Sequence, residues 1–136
     1  MKKYAILASL SLFAGAATAG VIAMPTAAPA GANADVCTGQ TAAKYDVYGG
    51  PGTPVTVAES FIKTGFSVQC SANTFVTFQN VDATSFRVGS ASVKGNQSYK
   101  GSSNGGAVVL STACGQSTTP CAQTDAQAAA TAASSM

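Results

Sequence analysis

The chain predicts an all-β domain, a small antiparallel β-sandwich or barrel stapled by disulfides and followed by a short alanine-rich tail. Two patterns carry that prediction. From Thr53 onward the apolar residues recur with a period near two, in short runs bounded by Gly, Asn, Asp and Ser. Four cysteines accompany a leader of the exported type, which makes disulfides the default reading. The length of 136 residues sets one domain as the ceiling.

The leader comes first. Met1-Lys2-Lys3 is a short positive region, Tyr4 to Ala14 an uncharged apolar stretch, and Ala17-Thr18-Ala19 an A-x-A cleavage pattern. Together they read as a secretory signal peptide. A second A-x-A stands at Ala32-Asn33-Ala34, just before Asp35. Residues 1–34 are therefore the leader region, with cleavage after Ala19 or Ala34. The reading leans to Ala34, because Pro25, Pro29 and Gly31 break a helix and Asp35 is a polar start. Cleavage after Ala19 instead leaves 20–34 as an extension. A retained span from Tyr4 to Met24 is diluted by Gly15, Thr18 and Gly20, so no membrane span is expected in the mature chain.

The body, residues 35–123, carries the strands. Thr53–Ala58 alternates Val55 and Val57. Ser60–Cys70 places Phe66, Val68 and Cys70 on one face. Thr74–Gln79 is β-branched and aromatic. Ser85–Val88 and Ala91–Lys94 flank Gly89, and Ser98–Gly101 and Ala107–Thr112 flank a hairpin-like Gly/Asn/Ser loop. Asp46–Pro54 reads as loop. In the tail, residues 124–136, Thr124 is positioned to cap a short helix that has no apolar stripe, so the tail is expected to fray or to pack on a neighbour.

The four cysteines, Cys37, Cys70, Cys114 and Cys121, allow three pairings. Joining Cys114 to Cys121 across a Gly- and Pro-containing loop leaves Cys37 for Cys70, a bridge that contributes roughly 3 kcal/mol on a chain-entropy estimate. Neither the C-x2-C clusters of a zinc site nor a redox C-x-x-C occurs.

Composition excludes much chemistry. There is no His, hence no His base and no His metal ligand. The net charge of +2 resides in the leader: without Lys2 and Lys3, five cations (Lys44, Lys63, Arg87, Lys94, Lys100) face five anions (Asp35, Asp46, Glu59, Asp82, Asp125). That balance argues against nucleic acid as a partner. Charged residues are 9 % of the chain, against roughly 25 % in ordinary domains, which protects poorly against self-association. Gly49 to Gly52 (GGPG) lacks the Lys and Ser/Thr of a phosphate loop. The carboxyls are scattered singly, so neither a glycosidase pair nor a calcium cluster is indicated. A Ser–Lys nucleophile using Lys63 or Lys94 is compatible with composition but not favoured, because no S-x-x-K spacing is read. No cofactor and no metal are expected. Asn96-Gln97-Ser98 fits a glycosylation acceptor. Tyr45, Tyr48 and Tyr99 are the aromatics available to contact a ligand, since rings stack on sugars.

The stretch Phe61–Phe78 (FIKTGFSVQCSANTFVTF) resembles part of a fimbrial subunit of the chaperone–usher type, notably the spore-coat-U-like group. The resemblance implies an immunoglobulin-like sandwich lacking one strand, with Cys37 and Cys70 as its first and second cysteines. It further implies that residues 20–34 act as a donor segment adding to a neighbour's sheet. The expected function is a non-enzymatic structural subunit of an extracellular or cell-surface filament. Its partners are copies of itself, with assembly or export factors. The alternative is a secreted or periplasmic binding module for glycan or protein.

Overall fold

The computed structural model describes residues 20–21, 31–114 and 119–135. The expected signal peptide and most of the expected donor segment lie outside these residues. Eight strands and one helix follow in chain order: β1 (Gly20–Val21), β2 (Asn33–Thr38), β3 (Ala43–Val47), β4 (Phe66–Cys70), β5 (Thr74–Asn80), β6 (Phe86–Ser92), β7 (Gln97–Ser102), β8 (Val109–Ala113) and α1 (Gln123–Ala132), which ends in a 3-10 turn at Ala133–Ser135.

The strands form two sheets. One has the order β1-β3-β4 and the other β2-β5-β6-β7-β8. All pairings are antiparallel except β1 on β3, which is parallel. The fold is thus the expected all-β, disulfide-stapled and sandwich-like one.

Strand β5 sits inside the larger sheet because its sequence, TFVTFQN, suits burial on both faces. Phe78 packs with Ala34, Val36, Val47 and Cys70 in the core between the sheets. Phe75 points the other way, into a second cluster with Ala91, Cys114, Cys121 and Ala126 of α1. The molecule is therefore layered as small sheet, large sheet, helix. Cys37–Cys70, with Cα atoms 5.5 Å apart, joins β2 to β4 and so one sheet to the other. Cys114–Cys121, at 5.0 Å, ties the end of β8 to the start of α1.

Four local expectations need correction. Thr53–Ala58 is not a strand. It makes only an isolated bridge, Pro54 to Thr64, flanked by the Val55 N–H to the Lys63 carbonyl at 2.9 Å and the Gly65 N–H to the Thr53 carbonyl at 2.7 Å. Ser85–Val88 and Ala91–Lys94 are one strand, β6, running through Gly89. Strand β3 extends into the segment read as loop. The tail is an ordered helix packed on its own sheet, and it does have a stripe, made of alanines: Ala126, Ala129, Ala130 and Ala133 are buried at helical spacing. Its N-cap is Ala122, not Thr124; the Asp125 carboxylate accepts the Ala122 N–H at 2.7 Å.

Strand β2 begins inside the segment read as leader. Ala34 is buried, and Asn33 Oδ1 accepts from Gln79 Nε2 at 3.0 Å.

Candidate functional site

The three tyrosines are not brought together. Tyr45 and Tyr48 pack against the core between the sheets. The Tyr48 ring lies 6.3 Å from that of Phe78, and its hydroxyl accepts from Asn80 Nδ2 at 3.3 Å. These two are structural. Tyr99, on β7, is 44 % exposed.

Tyr99 belongs to a part of the large sheet that the small sheet leaves bare. Gly89 of β6 faces α1, so its neighbours Val88 and Ser90 point to the opposite side. There the cross-strand partners are Val88 with Gly101 and Ser90 with Tyr99, then Tyr99 with Leu110. Val108 stands over Gly101. Phe61 stacks on Phe86 with centroids 5.8 Å apart. Leu110 is 50 % and Val108 72 % exposed. Among the described residues the outer strand β8 pairs only with β7. From Gly101 to Thr124 the chain carries no charged residue, so this edge lacks the Lys or other charge that commonly blocks strand addition.

Two regions share this face. Toward the β6–β7 loop, Thr74, Ser90, Ser92, Gln97 and Tyr99 surround a cavity of about 290 Å³. Toward the other end, Phe86, Val88, Gly101 and Val108 line an apolar depression of about 380 Å³. The sequence reading selected Tyr99 but passed over Val108 and Leu110. Their signal was available in the long uncharged run around them.

The opposite face, under α1, carries a polar network beside its apolar cluster. Asp35 accepts from Thr77 Oγ1 at 2.6 Å, Gln123 Nε2 at 2.9 Å and Gln127 Nε2 at 2.9 Å. Gln79 Nε2 also donates to Thr131 Oγ1 at 3.2 Å. This part-buried network latches the helix to the sheet.

Other groups that could carry chemistry are engaged structurally. Ser60 and Lys63 do form a Ser-x-x-Lys spacing, which sequence reasoning overlooked. Ser60 is buried, donates to the Ile62 carbonyl at 2.7 Å and accepts from Asn80 at 2.6 Å, whereas Lys63 is exposed on a non-helical segment. Among the described residues, Cys114, Cys121 and Asp125 are the one group with metal-ligand spacing, but both sulfurs are held in the disulfide. The Thr84 hydroxyl, together with the Thr84 and Ser85 amides, holds the Asp82 carboxyl below the usual carboxylate range; this is a turn-stabilising arrangement. Among the described residues no helix is long and apolar enough to cross a membrane.

No family model, curated protein or solved structure matches the chain.

Proposed function

We propose that the protein is a non-enzymatic structural subunit, exported and oxidised, that assembles with copies of itself through β-strand contacts into a surface filament. The observation that carries this reading is the β8 edge: unpaired on its outer side among the described residues, apolar at Val109 and Leu110, and without charge. An open edge offers main-chain N–H and C=O groups to another strand. Burial of Val108 and Leu110 adds a hydrophobic driving force. The pairing of Gly20 and Val21 with Tyr45 and Asp46 of β3 supports a strand-adding role for the extension as well. The two disulfides suit an oxidising, extracellular setting, and the resemblance of Phe61–Phe78 to fimbrial subunits points the same way.

The test is the assembly state of the mature protein by light scattering and negative-stain microscopy. Wild type is expected to form elongated particles. Leu110→Lys, which places a cation on the bare face beside the edge, is expected to stay a folded monomer. A wild-type protein that remains monomeric at millimolar concentration, and forms no fibres on cells, would overturn the proposal.

A further inference from the structure

We propose that the cavity beside Tyr99 is a binding site for one residue of a neutral carbohydrate. The cavity is built on strands, so its side chains are held by the sheet ladder. Thr74 pairs with Ser92 across β5 and β6, and Ser90 with Tyr99 across β6 and β7. Paired residues share a face. The result is a ladder of hydroxyls from Thr74, Ser92 and Ser90, ending at the exposed Tyr99 ring, with the Gln97 amide at the rim.

A pyranose ring presents a C–H face and a rim of uncharged hydroxyls. An exposed aromatic ring offers an apolar surface for the first. Hydroxyls and a carboxamide, each able to donate and accept, match the second. The volume of about 290 Å³ lies at the small end of the ~300–1,000 Å³ typical of ligand sites, which suits one sugar residue.

None of the described residues that line the cavity is charged, which disfavours phosphorylated or anionic ligands. Lys94 borders the adjoining depression, which shares Gly95 and Asn96 with the cavity, and Lys100 donates to the Ala132 carbonyl on the helix side at 3.1 Å.

The test is an amide chemical-shift titration of the mature, oxidised protein with the neutral trisaccharides of glucose, mannose, galactose and N-acetylglucosamine. At least one is expected to shift the amides of Ser90, Gln97 and Tyr99 together. Tyr99→Ala, a change at a half-exposed position that leaves the core intact, is expected to weaken that sugar about tenfold. Tyr99→Phe is expected to retain it, and Gln97→Ala to weaken it without unfolding. The proposal is overturned if no trisaccharide shifts these amides at its solubility limit. It is equally overturned if the shifts map elsewhere, if Tyr99→Ala binds as wild type, or if N-acetyl-tyrosine amide binds the same amides more tightly than every sugar.

Discussion

At the scale of single residues, Gly89 explains why α1 lies so close to the sheet. A Cβ built at Gly89 would collide with the Ala126 carbonyl oxygen and the Ala130 amide nitrogen, both helix backbone. Backbone atoms cannot swing aside as a flexible side chain does, so the helix as a whole would have to lift. Gly89→Ala is therefore expected to destabilise the fold by about 2–3 kcal/mol, at the upper end of overpacking costs. Denaturant titration would measure this, with Gly95→Ala as a reference for glycine replacement without a collision. A Cβ added at Gly95 meets only Ser92, at 3.5 and 3.7 Å, which is ordinary contact. Neither glycine sits in the left-handed region that favours glycine, so the difference between the two variants reports the collision. In sequence Gly89 read as an interruption between two short strands. Its role depends on alanines far along the chain, and local pattern cannot disclose that.

Among the elements, α1 is the one whose stability rests least on its own sequence. An alanine stripe buries little area per residue, so hydrophobic burial alone would hold the helix weakly. Asp35 supplements it by accepting from one sheet hydroxyl and two helix amides. Asp35→Ala removes the acceptor of Thr77 Oγ1 and Gln127 Nε2 and leaves Gln123 Nε2 only its bond to Thr77 Oγ1 at 2.7 Å, and each unpaired donor kept from water costs roughly 1–3 kcal/mol before relaxation. The expected outcome is a loss of about 3 kcal/mol, felt first in α1. Amide exchange should show the α1 protons losing protection while β5 and β6 keep theirs. Uniform loss through both sheets would refute a local latch. The contrast with β4 shows what could be read in advance. In Phe66–Cys70 the alternation is legible because one face is buried in the core. Thr53–Ala58 alternates as well, yet its pairing stops at one isolated bridge, Pro54 to Thr64. The alanine spacing 126, 129, 130, 133 was visible too, but alanine is so weakly apolar that the stripe acquires meaning only beside Gly89 and the Asp35 network. Likewise Tyr45, Tyr48 and Tyr99 look equivalent in sequence, and only the packing of the small sheet over half of the large one leaves Tyr99 open.

For the whole molecule, the sandwich bears on where cleavage of the expected leader falls. Cleavage after Ala34 would remove Asn33 and Ala34 from β2. It would delete a buried side chain, the Asn33–Gln79 hydrogen bond and the Gly31 amide bond to the Asn80 carbonyl. It would also place a charged amino group on Asp35, at the centre of the latch beneath α1. Cleavage after Ala19 keeps all of these and leaves Gly20–Val21 available to β3. The mature protein is therefore expected to start at Gly20, and Edman or mass analysis of exported material would establish this. A start at Asp35 would mean that β2 tolerates truncation and that self-assembly proceeds without the extension, through the β8 edge alone. The two outcomes separate further in the Leu110→Lys variant: with the extension present, residual strand addition at the small sheet should leave short oligomers, whereas a chain starting at Asp35 should be wholly monomeric.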